Sequence, residues 1–291
     1  MLKIVLGLVV VLLGFAACAL LLMYVFQRKL LYPAPSGELP LKLPDSVTKV
    51  DFDGGYGLLM LPDVKTNTKP IAQPIAQPTS AIIFAHGNAE WAAQWVEGFQ
   101  PLVDAGMAVM LVEYPGYAGA KGKPSLDTMR QMMFDAYDYM ASRPEIDAST
   151  IISHGRSLGG GAACLLAEGR PVAALVLEST FGSLQKLVGE LRYPSNFLKD
   201  KYDNTAIVSS FTKPVFIYHG LQDYFIKVHH AHELHNAASL SELILQHCDH
   251  NNCPRPWSEL TRFLSAAGVP GIPLIQSPLQ ETKSTDSLGA D

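Results

Sequence analysis

The chain has 291 residues, a net charge of −5 and an isoelectric point near 6.0, and 48% of its residues are hydrophobic. The length suits one α/β domain. The acidic balance, without a basic stripe, argues against nucleic acid as a partner. The sequence has no G-x-x-x-x-G-K-[ST] loop and no G-x-G-x-x-G after a strand, so no cofactor is expected.

The N-terminus predicts a membrane anchor within residues 1–31. The run Ile4–Phe26 carries no charge, and at about 1.5 Å per residue it spans the roughly 30 Å hydrocarbon core. We therefore expect the bilayer to be a partner through residues 4–26. The flanking charges, Lys3 before the run and Arg28 with Lys29 after it, slightly favour a cytoplasmic catalytic domain, and the side of the membrane stays open.

Two processing signals compete with an anchor. A cleaved signal peptide has an apolar region of only about 7–15 residues, which is shorter than this run. Residues 15–18 resemble a bacterial lipoprotein cleavage box ending at Cys18, but the apolar stretch continues to Phe26. An uncleaved anchor is the favoured interpretation, and cleavage with lipidation at Cys18 remains the alternative.

Strands and helices alternate along the rest of the chain, and the catalytic domain is predicted over residues 45–267. This pattern predicts a mostly parallel sheet of about eight strands, with helices on both faces. Residues 65–80 predict an exposed Pro-rich loop, and residues 268–291 predict a disordered tail. The predicted strands are Val47–Phe52, Gly57–Leu61, Ala81–Ala85, Ala108–Val112, Thr150–Ile152, Val172–Leu177, Pro214–Tyr218 and Leu243–Leu245. The predicted helices are Glu90–Ala105, Leu126–Arg143, Gly161–Glu168, Val228–Ala238 and Pro256–Ala266.

A Gly-x-Ser-x-Gly pattern, Gly155 to Gly159, stands between a predicted strand and a predicted small-residue helix. A strand-turn-helix of this kind places a serine at a sharp corner with its hydroxyl exposed above the sheet. Ser157 is therefore the candidate nucleophile. The alternative is a serine that merely caps a helix at a tight turn.

A serine nucleophile needs a general base and an acid that orients the base. In this strand-turn-helix context the order along the chain is serine, acid, histidine, each after a strand. Asp223 follows the strand ending at Tyr218 and is the predicted acid, with Glu178 as the alternative. His250 is the predicted base. His247 is its alternative, but we expect it to belong to the preceding strand.

The loop from His86 to Glu90 follows a strand and opens a helix. Its backbone N–H groups can face an oxyanion, together with the N–H after the nucleophile. Asn88 and Leu158 are the predicted donors, with Ala89 as an alternative to Asn88. His86 is expected to hold the loop rather than to act as a base.

The cysteines and histidines near the predicted base could also indicate a metal site. Cys248, His250 and Cys253, with His247, could ligate a metal, but zinc sites usually pair two ligand clusters and no second Cys cluster exists. No metal is therefore expected. A Cys248–Cys253 disulfide and free thiols both remain open, depending on the compartment.

The chain resembles the α/β-hydrolase superfamily over about Val47–Ala266. Among its members it is most similar to the membrane-anchored α/β-hydrolase-domain proteins that include depalmitoylases and lysophospholipid lipases. Two departures from the family pattern are Cys248-Asp249, where a Gly is usual, and residues 224–227, which lack a common proline. The motifs that carry the resemblance are Phe26 to Tyr32, His86 to Glu90, Glu113 to Tyr117, Gly155 to Gly160 and His219 to Asp223.

The resemblance implies a serine hydrolase that acts on carboxylic esters or thioesters. The segment between Leu177 and Pro214 has room for one or two short helices and not for a large lid. An open site beside an anchor suits an acyl ester, a lysolipid or a lipidated protein presented by the bilayer. The alternatives are a serine peptidase of the same fold and an inactive hydrolase fold used as a binding module.

Overall fold

The computed structural model describes residues 2–35, 43–62 and 78–276. Most of the predicted Pro-rich loop lies outside these ranges. Helix α1, Leu2–Leu31, is about 45 Å long, and none of its residues is buried. Within the described ranges it is the one helix long and apolar enough to cross a membrane, a property that signal sequences share.

Eight strands form one sheet in the order β1-β2-β4-β3-β5-β6-β7-β8. Strands β3 to β8 run parallel, and the antiparallel hairpin β1–β2 joins them through β4. The predicted mostly parallel sheet is confirmed. The strands are β1 Val47–Phe52, β2 Gly55–Met60, β3 Thr79–Ala85, β4 Ala108–Glu113, β5 Ile146–Arg156, β6 Ala174–Glu178, β7 Val215–Gly220 and β8 Ser241–Gln246.

The helices cover both faces of this sheet. The predicted helix Glu90–Ala105 is divided into a 3₁₀ turn, Ala92–Trp95, and α2, Val96–Asp104. The segment between β6 and β7 holds two short helices and a second 3₁₀ turn, Ser195–Phe197. The remaining helices are α3 Leu126–Ala141, α4 Leu158–Gly169, α5 Leu184–Glu190, α6 Asn204–Ser210, α7 His229–Ala237 and α8 Trp257–Ala266.

Helix α3 shows how local sequence sets an element. The Ser125 hydroxyl accepts the Thr128 N–H (3.2 Å) and the Thr128 hydroxyl accepts the Ser125 N–H (2.9 Å), which satisfies two donors at the helix start. Buried residues recur at helical spacing and press one face onto the sheet. These residues are Met129, Met132, Met133, Ala136, Tyr137 and Met140.

The central strands bury both faces, and alternate side chains enter different cores. In β3, Ile83 packs into the core under α3 and α4, whereas Ile82 and Phe84 pack into the core under α2 and α8. A strand buried on both sides has no polar face, which is why its sequence is continuously apolar.

The beginning of the predicted tail packs on the domain. Val269 is buried, and the Ile275 N–H donates to the Thr261 hydroxyl of α8 (3.2 Å). The structure therefore differs from the predicted disorder for residues 269–276. Residues 277–291 lie outside the described ranges.

Candidate active site

Ser157 stands at a strained corner between β5 and α4. Its backbone has φ 52° and ψ −118°, a conformation that costs a non-glycine residue energy. Strand and helix approach so closely here that a Cβ on Gly155 would overlap the carbonyl of Gly159. A Cβ on Gly159 would in turn overlap the carbonyl of Ala85. The two glycines of the motif are thus required by close backbone contact.

Backbone contacts from β6 and the residues after it hold this corner. The Ser157 N–H donates to the carbonyl of Glu178 (2.9 Å). The Thr180 hydroxyl donates to the carbonyl of Ser157 (2.6 Å). Both contacts use the backbone of Ser157 and leave its hydroxyl to face the base.

The structure brings Ser157, His250 and Asp223 together from three separate loops. His250 Nε2 lies 3.1 Å from Ser157 Oγ, and His250 Nδ1 lies 2.6 Å from Asp223 Oδ2. Both distances lie in the range of hydrogen bonds, so each ring nitrogen of His250 has a hydrogen-bond partner. The arrangement can pass a proton from the hydroxyl to an imidazole that a carboxylate orients.

Asp223 is buried, and several hydrogen-bond donors contact its carboxylate. Its Oδ1 accepts the N–H groups of Phe225 (2.9 Å) and Ile226 (2.8 Å). Burial by itself would raise the pKa of Asp223, but contacts with His219, His250 and the Ile226 N–H hold the pKa well below its ordinary value. The carboxyl group is therefore ionised and can stabilise a protonated imidazole.

The loop carrying His250 is tightened by its neighbours. Asp249 Oδ1 accepts the N–H groups of Asn251 (2.8 Å) and Asn252 (3.1 Å), so Asp249 forms the turn where the family usually has Gly before the histidine. In the structure a Cys248–Cys253 disulfide, one of the two expected states of these cysteines, closes the loop.

Neither alternative residue occupies the site. Strand β8 ends at Gln246, so His247 lies outside the strand that was expected to contain it, and its side chain is exposed. Glu178 is buried, but it faces guanidinium groups. Its carboxylate accepts from Arg255 Nη2 (3.0 Å) and lies 3.4 Å from Arg156 Nε. Burial would raise the pKa of Glu178, yet Arg255 and the other nearby cations lower it to about 2.

Arg156, inside the Gly-x-Ser-x-Gly motif, joins three loops of the site, and sequence reasoning missed it. Its Nη2 donates to the carbonyl of His250 (2.6 Å) and to Asn251 Oδ1 (2.9 Å). Its Nη1 donates to Glu90, and Glu90 Oε2 accepts the Gly87 N–H (2.7 Å). The available signal was a charged residue at the end of an otherwise apolar strand, because a buried charge needs partners.

The motif residues 86–90 and 113–117 interlock beneath the site. His86 is fully buried, with Nε2 3.0 Å from Glu113 Oε1, and its carbonyl accepts the Tyr114 hydroxyl (2.6 Å). The Tyr117 hydroxyl donates to Asn88 Oδ1 (3.2 Å). His86 thus ties the loop to β4 and has no contact with Ser157 among its hydrogen bonds, in line with the structural role expected for it.

The two predicted oxyanion donors have free N–H groups. Leu158 is the first residue of α4, so its N–H has no partner within the helix. The Asn88 N–H forms no hydrogen bond to another described residue, whereas the Ala89 N–H already donates to Asn88 Oδ1 (3.0 Å). The N–H of Asn88 is therefore the more available of the two for an oxyanion, and its role remains a prediction.

A cluster of Glu190, His229 and His230 has the residue types of a metal site. The Gly182 N–H donates to His230 Nδ1 (3.3 Å), so the proton of the neutral ring sits on Nε2 and leaves no lone pair there. Burial and the neighbouring His229 lower the pKa of His230 to about 4. The acceptor role of Nδ1 argues against ligation through His230 Nε2, whereas His229 Nε2 contacts Glu190 Oε1 (2.9 Å).

Known proteins share this architecture. A family model for the alpha/beta hydrolase fold matches residues 80–209. An uncharacterized protein of Mycobacterium tuberculosis is 30% identical over 207 residues, which is 68% of this chain and 70% of the relative. An alpha/beta hydrolase domain-containing protein of Arabidopsis thaliana is 24% identical over 246 residues, covering 78% of this chain and 80% of the relative.

Solved structures agree on the fold. The 2,6-dihydroxy-pseudo-oxynicotine hydrolase superposes with a TM-score of 0.60 at 19% identity, covering 81% of this chain and 72% of the other. An acetyl xylan esterase from Paenibacillus sp. R4 superposes with a TM-score of 0.59 at 18% identity, covering 79% and 86%. Sheet order, nucleophile corner and relatives lead to one conclusion: this chain belongs to the α/β-hydrolase superfamily.

Proposed function

We propose that this protein is a membrane-anchored serine hydrolase that cleaves carboxylic esters or thioesters. The observation that carries the proposal is the continuous hydrogen-bonded chain from Ser157 Oγ through His250 to Asp223, with links of 3.1 and 2.6 Å. The structural neighbours of this fold include esterases, such as the acetyl xylan esterase from Paenibacillus sp. R4, and this supports the proposal.

In the proposed reaction, Ser157 Oγ attacks the substrate carbonyl carbon while His250 Nε2 takes the hydroxyl proton. Asp223 stabilises the imidazolium, and the N–H groups of Asn88 and Leu158 bind the oxyanion. His250 then gives its proton to the leaving alcohol or thiol, which leaves an acyl-enzyme. Water, deprotonated by the same imidazole, attacks the acyl carbonyl. The C–O bond to Ser157 then breaks, and His250 returns the proton to Ser157 Oγ as the acid leaves.

Helix α1 is the proposed anchor, supported by its length and its lack of buried residues. Retention of the protein in membranes after carbonate washing tests this part. Its flanking charges favour a cytoplasmic domain, whereas a Cys248–Cys253 disulfide is stable in oxidising compartments and favours the other side. Protease protection of the domain in sealed vesicles decides the orientation.

The test of the activity is labelling with a fluorophosphonate, followed by a panel of p-nitrophenyl esters, acyl thioesters and peptide p-nitroanilides. We expect labelling of the wild type and of Ser153→Ala, but not of Ser157→Ala. Ser153 is a matched control because it lies in β5, the strand that leads to Ser157, and its hydroxyl donates to the Ala163 carbonyl (2.9 Å).

Each result of the panel has a definite meaning. Turnover of esters or thioesters with silent peptides supports the proposal, and turnover of peptides alone points to a peptidase of the same fold. A folded protein that is neither labelled nor active contradicts the proposal and leaves a binding module.

A further inference from the structure

An apolar groove of about 740 Å³ runs between α1 and the segment from α5 to the second 3₁₀ turn. This volume lies within the range of about 300–1,000 Å³ that small-molecule sites occupy. Asn88 and Gln27 are the only amides in its lining, and the other lining residues are aliphatic, aromatic, Met or Pro. They are Leu20, Leu21, Met23, Tyr24, Leu30, Leu31, Leu184, Leu187, Val188, Leu191, Tyr193, Pro194, Phe197 and Leu198.

The end of α1 is docked on the domain by polar contacts, so one wall of the groove is held in place. Arg28 Nε and Nη2 donate to the two oxygens of buried Asp200 (2.8 and 2.9 Å). The Gln27 amide bridges the carbonyl of Phe197 (3.2 Å) and the N–H of Lys199 (2.7 Å). Arg28 and Gln27 belong to the sequence motif Phe26 to Tyr32. The roles proposed for the catalytic residues do not explain that motif.

The groove borders the proposed reaction centre at Asn88, whereas Ser157, Leu158 and His250 do not line it. Asn88, which lines the groove, is the proposed oxyanion donor. The backbone just before it lies against the start of α4, because a Cβ on Gly159 would overlap the carbonyls of Ala85 and His86. A substrate carbonyl bound by the N–H of Asn88 would have the apolar walls of the groove next to its acyl substituent.

With α1 as the proposed anchor, the end of the groove that Leu20 lines would lie at hydrocarbon depth. Leu20 lies six residues before Phe26, the end of the charge-free run, which is about 9 Å along the helix axis. On the domain side, Leu191, Tyr193 and Phe197 are more than half exposed. Exposed apolar side chains on this scale mark an interaction surface, and here they adjoin the anchor.

We propose that this groove binds the acyl chain of the substrate and that α1 forms one of its walls. The ligand class is a single long acyl chain on an ester or thioester, which enters from the bilayer without crossing water. The anchor then contributes to the binding site as well as holding the enzyme at the membrane. This inference rests on the proposed function and names the substrate class of that same site.

Two leucines of α1 give a matched test in the full-length protein. Leu20 lines the groove and is 48% exposed, whereas Leu22 is 52% exposed and does not line it. Two positions along a helix turn by about 200°, so Leu22 points away. Leu20→Trp and Leu22→Trp are compared in phosphatidylcholine vesicles with p-nitrophenyl palmitate and p-nitrophenyl butyrate. Leu187→Trp narrows the groove from the opposite wall.

We expect Leu20→Trp and Leu187→Trp to lower the palmitate-to-butyrate ratio of kcat/KM at least about tenfold, because even one methylene in a pocket changes kcat/KM about 10–200-fold. Leu22→Trp should keep the wild-type ratio. If all three variants keep the wild-type ratio while the wild type hydrolyses both esters, the proposed acyl-binding groove is wrong and the proposed function still stands.

A binding measurement separates the two proposals if the wild type hydrolyses neither ester. Diazirine-labelled palmitic acid should crosslink to peptides from α1 and from residues 184–198, and Leu20→Trp should lose this crosslink while Leu22→Trp keeps it. That result supports the groove without the hydrolase, and no crosslink to either segment refutes the groove.

Discussion

Glu178→Gln should damage stability far more than the chemical step. Glu178 is 3% exposed, and its carboxylate faces two guanidinium groups and the buried imidazole of His154, whose pKa burial lowers. Arg255 donates to its two oxygens (3.2 and 3.0 Å), while Arg156 Nε and His154 Nε2 each lie 3.4 Å away. An amide of the same shape keeps the volume but removes the charge that balances the buried guanidinium of Arg156 and the largely buried one of Arg255.

The size of the effect follows from two independent considerations. Breaking a buried ion pair by removing one partner costs about 3–5 kcal/mol. The folded protein lowers the pKa of Glu178 from 4.5 to about 2, and at about 1.4 kcal/mol per unit this also corresponds to roughly 3 kcal/mol in favour of the charged form. A loss of 3 kcal/mol lowers the Tm of a domain this size by about 6–12 °C.

The pH dependence has a definite sign. Because the folded-state pKa is depressed, the contribution of Glu178 is fully present above its unfolded pKa of about 4.5. It is lost as the pH falls through about 2. The difference in stability between wild type and Glu178→Gln should therefore shrink between pH 4.5 and 2, although other carboxylates titrate in both proteins.

The assay is thermal unfolding of detergent-solubilised protein by tryptophan fluorescence, alongside fluorophosphonate labelling below the transition. Glu168→Gln is the matched control, because Glu168 is exposed and its contact with Arg130 is 3.5 Å long. That variant should change stability by less than about 0.5 kcal/mol. A Glu178→Gln protein with wild-type Tm that loses activity as Asp223→Asn does would refute this reasoning and make Glu178 the orienting acid.

Three further outcomes are expected. Ser157→Ala should lower kcat about 10³–10⁶-fold with an unchanged Tm, and residual turnover at the wild-type rate would contradict the nucleophile. His250→Ala should be nearly as damaging, and Asp223→Asn somewhat less so, in steady-state ester hydrolysis, since the carboxylate orients the imidazole without exchanging a proton. Arg28→Ala should cost about 1–3 kcal/mol by leaving a buried carboxylate without its cation, whereas Lys29→Ala, its exposed neighbour, should unfold at the wild-type temperature.

Much of the fold and of the candidate site could be predicted along the chain. Ser157, Asp223 and His250 each follow a strand in the order that the superfamily uses, and continuous apolar runs indicated the buried parallel strands. Boundaries were less predictable. Strand β5 extends from Ile146 to Arg156 rather than over Thr150–Ile152, because ladder pairing with β3 and β6 carries it through polar residues.

Other features depend on residues far apart in sequence, and local pattern carries no information about them. Glu178 was a reasonable alternative acid after a strand, and only the approach of Arg255, from beyond β8, turns it into an ion-pair partner. Arg156 likewise becomes the link between loops only when those loops converge.

The sequence by itself therefore determined the strand-turn-helix corner that carries Ser157 and the apolar N-terminal helix, because both are set by neighbours along the chain. What only the tertiary structure decided is the partner of each charge and the place where α1 rests. Arg28 reaches Asp200 across 172 positions, and that contact places an apolar helix face beside α5. Burial makes such pairings obligatory, since a charge removed from water must find its counterion wherever the fold brings one.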